Sequence, residues 1–179
     1  MRYRSLATQE EIDRAYDPMR GRDPAPLLEG WRARSVASRE RHRVTLDVPY
    51  GPTLAERMDI FHAEGVGEER AEGEAPCHLF FHGGYWRSLS HKEFGFVVDG
   101  LVASGITVAV VNYALCPTVR FCEVVRQSRA ALAWVHRNAP SLGVDPGQLS
   151  ISGHSAGGHL CAGCCWRPTG KESMACPMT

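Results

Sequence analysis

The apolar positions of this chain change period along its length, and the changes predict its elements. Val44, Leu46 and Val48 alternate with Thr45 and Asp47, and Met58 and Ile60 alternate in the same way within residues 56–61. Tyr50-Gly51-Pro52 turns between the two runs, which predicts an antiparallel strand pair. Cys77–Phe81 and Ile106–Val111 are almost wholly apolar, the pattern of strands covered on both faces. Between them, Phe94, Val97, Val98, Leu101 and Val102 recur at helical spacing over residues 92–104, and Gly105 stops the run. Val124, Val125, Ala131, Leu132 and Val135 mark a long amphipathic helix over residues 119–138, ended by Pro140. Asp145-Pro146-Gly147 then turns the chain into a short strand, Leu149–Ser152.

Upstream, Thr8 and Glu11 fit a capping box that opens a short helix closing before Pro18. Residues 17–26 read as loop, Leu27–Glu40 as a second helix, and the charged, Gly-rich residues 64–76 as another loop. The later half alternates strand and helix. That order predicts an α/β fold: a mostly parallel sheet with helices on both faces. Three segments follow: residues 1–43, helical; residues 44–160, the α/β core; and residues 161–179, of different character.

Composition narrows the partners more than the fold. At 179 residues the chain is one domain by length. Its formal net charge of zero removes any electrostatic case for nucleic acid or an anionic membrane. No run nears the ~18 apolar residues of a membrane span, and the first residues lack the apolar core of a signal peptide. A cytoplasmic protein is the expectation. Cys77, Cys116 and Cys122 lie in or beside apolar runs and read as buried free thiols. Cys161-x-x-Cys164 has metal-ligand spacing, but no second pair accompanies it, so no metal is assigned.

The chemistry sits in two glycine-rich stretches. Gly153-His154-Ser155-Ala156-Gly157 follows the run Leu149–Ser152, and His82-Gly83-Gly84-Tyr85-Trp86 follows Cys77–Phe81. A G-x-S-x-G stretch between strand and helix places a serine on a tight turn at the sheet's carboxyl edge. Small residues flank it because strand and helix approach closely there. The N–H of Ala156, at the helix start, then points toward a developing negative charge. The glycines of the earlier loop can offer further N–H groups to the same oxygen. The plainer alternative is a helix start capped by a serine. Tyr85 and Trp86 suit either an aromatic pocket or ordinary core packing. His82 reads as a structural residue of its loop, and His154 and His159 as structural neighbours of the serine.

These stretches, with Asn112-Tyr113-Ala114-Leu115-Cys116-Pro117, resemble the kynurenine formamidase (arylformamidase) family and its esterase relatives. Residues 44–160 look like the front part of an α/β-hydrolase. The resemblance implies Ser155 as nucleophile and the N–H groups of Gly83, Gly84 and Ala156 as oxyanion donors. It implies a small formamide or ester substrate, N-formylkynurenine in the first place, and no cofactor or metal. A carboxylesterase on short acyl esters and a non-catalytic fragment are the alternatives. Oligomeric state is left open.

One departure stands out. The resemblance implies an Asp and a His after the serine, but the 24 residues beyond Ser155 hold no Asp and a single His, His159. This chain is therefore expected to lack an intact triad and to be a poor catalyst, its C-terminal part missing. Residues 161–179 are rich in Cys, Pro and Gly where a helix should continue. Back-translated from the third base of the Leu160 codon, Cys164-Cys165-Trp166 gives Leu-Leu, with Ala-Thr-Asp-Trp permitted next. An out-of-frame extension is the expectation for this tail.

Overall fold

The computed structural model describes residues 6–17, 20–64 and 75–165. Its five strands form one mixed sheet: β1 (Val44–Pro49), β2 (Arg57–Phe61), β3 (Ala75–Phe81), β4 (Thr107–Val111) and β5 (Val144–Gly153), in the order β1-β2-β4-β3-β5. The alternating pair β1 and β2 is antiparallel, and β2 runs antiparallel to β4. The apolar runs β3 and β4 are parallel in register, Leu79 opposite Ala109, and β5 is parallel to β3, Ile151 opposite Leu79. Parallel neighbours need helical crossovers, and those crossovers supply the helices on both faces.

On one face α4 (Phe121–Leu142) and α5 (Ala156–Cys165) bury Leu79, Phe81, Val124, Val135 and Leu160. On the other, a 3₁₀ segment (His91–Val98) and α3 (Asp99–Ala103) pack Phe94, Val98 and Val102 against Phe61, Val108 and Val110. The N-terminal helices are α1 (Gln9–Tyr16), opened by the Thr8–Glu11 capping box, and α2 (Ala25–Arg41).

Three elements depart from the sequence expectation. The single helix over residues 92–104 is two pieces. Helix α2 presses on the first of them: the Phe96 N–H donates to Ser35 Oγ at 3.3 Å, and a Cβ on Gly95 would stand 3.2 Å from Ser35 O. Helix α4 runs through Pro140 and stops instead at Gly143, whose left-handed φ of 67° lets its N–H close on Ala139 O and Pro140 O. The Asp145-Pro146-Gly147 turn lies within β5, where the Gly147 N–H donates to Asp145 Oδ1 at 2.7 Å and the register to β3 shifts. Helix α5 carries the chain past residue 160 to Cys165, and the rest of the tail lies outside the described residues. Cys77 is buried, and burial pushes its thiol up to about 12. Cys122, expected as a free thiol, is disulfide-bonded.

Helix α2 shows no apolar stripe in its sequence because its contacts are aromatic and ionic. Trp31 packs on Phe94 and Phe96, with ring centroids 5.3 and 6.0 Å away, and Arg34 lies over Phe96. Arg39 reaches the fully buried carboxylate of Asp59 at 3.2 Å. Lys92 Nζ bridges Asp59 and Asp47 at 2.8 and 2.9 Å, and His91 Nε2 stands 3.3 Å from Asp59. Burial alone would raise Asp59. The His91 ring, the Lys92 ammonium and the Asp47 N–H hold it well below the usual carboxylate range. Asp47, Asp59 and His91 have the spacing of metal ligands. The Lys92 and Arg39 cations already neutralise these carboxylates, so the cluster is a structural ion network.

Candidate active site

Strand β5 ends at Gly153 and α5 begins at Ala156, so Ser155 stands on the turn between them. Its φ is 52°, left-handed and unusual for a residue with a side chain. Close packing forces this turn. A Cβ on Gly157 would strike Phe81 O and fall 2.7 Å from His82 O, and one on Gly153 would strike the Gly157 carbonyl. The His154 N–H donates to Phe81 O at 3.2 Å, and the Gly157 N–H to His154 O at 2.8 Å. The turn is thereby sewn to the end of β3. Ser155 is exposed, and its hydroxyl has no hydrogen bond among the described residues.

Beyond β3, the loop bearing Gly83 and Gly84 is fixed by its carbonyls. The Tyr113 hydroxyl donates to His82 O at 2.6 Å. His82 Nδ1 lies 2.6 Å from Gly83 O, so Nδ1 carries the proton and donates. In a planar trans peptide the N–H points opposite its C=O. Tying His82 O thus aims the Gly83 N–H the other way, and tying Gly83 O does the same for Gly84. Neither N–H is used by another described residue. Ala156, as the first residue of α5, has an N–H without an intrahelical partner.

The three histidines near the serine are each committed elsewhere. His82 is fully buried, stacked on Tyr113 at 4.1 Å and on Phe94 at 5.9 Å. Burial pushes its pKa down to about 4, although the bond to Gly83 opposes the shift. Its Nε2 is buried without a hydrogen-bond partner among the described residues. His154 packs edge-on against Trp31 at 6.0 Å, and His159 packs on Trp86 and Phe121 at 5.4 Å.

A cavity of about 360 Å³ is lined by Tyr85, Trp86 and Arg87 of the loop after Gly84, Cys116 and Phe121 at the entry to α4, and His159 of α5. Tyr85 and Trp86, which the sequence offered for either a pocket or the core, are therefore both on its wall. Tyr85 is 48% exposed, so core packing does not describe it. Sequence reasoning missed Arg87, Cys116 and Phe121. The available signal was that Arg87 continues the HGG-Tyr-Trp loop, while Cys116 and Phe121 flank the turn into α4. His159, read as structural and one helical turn after Ser155, also lies on this wall.

Comparison with known proteins gives the same architecture. A kynurenine formamidase of Danio rerio is 34% identical over 131 residues, which cover 73% of this chain and 40% of that protein. The esterase LipC of Mycobacterium tuberculosis is 29% identical over 171 residues, 90% of this chain and 41% of the esterase. The crystal structure of a candidate thioesterase from a Silicibacter species superposes with a TM-score of 0.70 at 28% identity, over 84% of this chain and 53% of the other. This chain thus spans about 40% of the length of the curated relatives it matches. The alpha/beta hydrolase fold family matches residues 78–177, more than half of the chain and both glycine-rich stretches, and the chain belongs to that family.

Proposed function

We propose that this site is that of a serine hydrolase acting on a formamide or short ester, with an aryl formamide such as N-formylkynurenine as the first candidate. One observation carries the reading: Ser155, held at a φ of 52°, opens α5 beside a loop whose two glycine N–H groups are aimed by hydrogen bonds on their carbonyls. Ser155 Oγ would attack the carbonyl carbon, and the Gly83, Gly84 and Ala156 N–H groups would receive the oxyanion. Collapse would break the C–N bond and release the amine, which takes up a proton. Water would then hydrolyse the formyl-enzyme to formate and restore the serine. The aromatic cavity favours an aryl formamide, and the likeness to kynurenine formamidases agrees. A carboxylesterase is the second reading, supported by the likeness to LipC.

On this reading the weak point is the proton acceptor. His82, His154 and His159 are each packed into other contacts, and none bonds Ser155 Oγ. Slow turnover is part of this proposal: among the described residues no base bonds Ser155 Oγ, and a serine hydroxyl without one is a weak nucleophile. A cytoplasmic setting and a role in tryptophan breakdown belong to the same proposal.

The test is labelling by a fluorophosphonate, with mass spectrometry to locate the adduct. Turnover of N-formylkynurenine and p-nitrophenyl acetate is measured beside it, with Ser155→Ala as control. An adduct on Ser155 supports the reading, and the ratio of the two turnover rates decides between formamidase and esterase. No adduct at any reagent concentration leaves a non-catalytic binding module instead.

A further inference from the structure

Upstream of the serine turn, strands β3 and β5 place three polar side chains on one face of the sheet. Opposite residues of a parallel pair share a face, and so do residues two apart. His78 stands opposite Ser150 in the register, and Ser152 follows two positions on. The imidazole lies between the two hydroxyls. Its Nδ1 is 2.7 Å from Ser150 Oγ, and its Nε2 is 2.7 Å from Ser152 Oγ. The ring has no other hydrogen-bond partner among the described residues.

No described carboxylate pairs with this ring, and burial holds it below the ordinary histidine value of 6.5, so at neutral pH it is uncharged. A neutral imidazole has one N–H and one bare nitrogen. With a hydroxyl at each end, one serine accepts a hydrogen bond from the ring and the other donates to it. The Nε2–H tautomer is intrinsically the more stable, so Nε2 donates to Ser152 and the Ser150 hydroxyl donates to Nδ1. Ser150 is exposed, whereas Ser152 is half-buried. A hydroxyl on a basic nitrogen, with that base held by a third group, is the arrangement that activates a serine nucleophile. Thr45 also meets a ring, His62 Nε2 at 2.8 Å, but no third group among the described residues holds the other nitrogen. The outer edge of β5 has no partner strand among the described residues, so backbone N–H donors for an acyl oxygen lie along the same strand as Ser150.

We propose that Ser150 is a second nucleophile of this chain, activated by His78 and able to accept acyl groups from aryl esters. Ser150 Oγ bonds the carbonyl carbon while its proton passes to His78 Nδ1. The C–O bond to the aryl group breaks, and the phenolate takes up that proton as it leaves. Water, giving a proton to the same nitrogen, then releases the acid and restores Ser150. Ser152 positions the ring without touching the ester. The inference does not rest on the reading of Ser155.

The test is acetylation by p-nitrophenyl acetate, with peptide mass spectrometry reading each serine separately. The native chain should carry an acetyl group on Ser150, and Ser150→Ala should lose it. His78→Gln keeps polar atoms beside both serines but supplies no base, and it should slow acetylation of Ser150 about a hundredfold. Ser152→Ala should slow it as well, and Ser152→Thr, which keeps the hydroxyl, should restore it. Urea melts run beside these show which variants are folded, and an unfolded His78→Gln leaves the Ser152 pair to decide. An acetyl group on Ser152 instead of Ser150, none on either, or a rate in folded His78→Gln equal to the native one overturns the proposal. Because each residue is read separately, an acetyl group present or absent on Ser155 bears only on the catalytic reading of that turn.

Discussion

The Tyr113 hydroxyl donates to the His82 carbonyl at 2.6 Å while the two rings stack face to face at 4.1 Å, 3° from parallel. One side chain thus fixes both the position of His82 and the direction of the peptide that follows it. Tyr113 is itself 1% exposed, and burial holds its phenol far above the ordinary range, so it stays a neutral donor.

Tyr113→Phe should keep the stack and lose only the hydrogen bond. The cost in stability should be about 1–3 kcal/mol, because His82 O is left buried without its donor. The Gly83 N–H should lose its fixed aim. The rate of Ser155 phosphonylation should then fall by more than the stability loss explains, on the order of tenfold or above for a misdirected oxyanion donor. A denaturant melt and a labelling time course, run together, check this. An unchanged labelling rate would show that the carbonyl tie does not aim the loop.

The glycines of the serine turn differ from one another in a measurable way. At Gly157 a methyl group would meet backbone on two sides, Phe81 O and His82 O, and neither can move without opening β3. At Gly163 the nearest atom is Val125 Cγ1 at 3.5 Å, an ordinary contact. Gly157→Ala should therefore destabilise by about 3 kcal/mol or prevent folding. Gly163→Ala, inside helix α5, should stabilise by up to ~1 kcal/mol. Urea midpoints of the two variants decide it, and similar midpoints would contradict the packing described for the turn.

These same glycines show what the sequence could and could not reveal. The short side chains around Ser155 were legible as a tight turn, because no other residue type tolerates such an approach. Strands β3 and β4 were legible because their apolar runs admit no solvent face. The packing of α2 was not. Trp31 and Arg39 are single residues in an otherwise polar helix, and their partners Phe94 and Asp59 lie 20 or more positions away. The cavity wall was half legible for a related reason. Tyr85 and Trp86 adjoin the glycine loop, whereas Phe121 and Cys116 reach it only through the turn into α4.

Acid should weaken the fold through His82 before it reaches the carboxylates. The unfolded histidine takes up a proton near 6.5, but the buried ring resists protonation until about 4. A group with a depressed pKa stabilises the fold fully above its unfolded value and loses that contribution as pH falls toward the folded one. The window is therefore pH 6.5 down to 4, and the loss across it is about 3 kcal/mol at most. His62 and His78, lowered chiefly by burial, act in the same direction. Asp59 and Glu56, also lowered, give way only at more acid pH. In His82→Gln the side-chain amide can still donate to Gly83 O, but nothing titrates. Its denaturation midpoint should therefore change less between pH 7 and 4.5 than that of the native chain. Equal changes would remove His82 as the cause.

The last expectation concerns the exposed side of β5. Among the described strands β5 pairs only with β3, so its outer backbone groups have no partner strand. Leu149 and Ile151, half-buried, line an open groove of about 710 Å³ with Leu132 and Ala133 of α4, Pro146 of the β5 turn and Cys164 of α5, and Arg129, His136 and Arg137 of α4 border it. An unpaired edge beside an apolar groove is a template for another chain. The opposite face of the strand is polar: Ser150 and Ser152 both bond the His78 ring at 2.7 Å, which holds β5 in register with β3. Association should therefore run through the edge and the groove. Light scattering should show mass rising with protein concentration, and Ile151→Lys should suppress the rise by replacing an apolar contact of the groove with a further cation beside Arg129 and Arg137. The same substitution should cost little stability, because Ile151 is only half-buried and lysine can carry its ammonium out to solvent. A native chain that stays monomeric across the concentration range, with one cooperative melt, would refute the expectation.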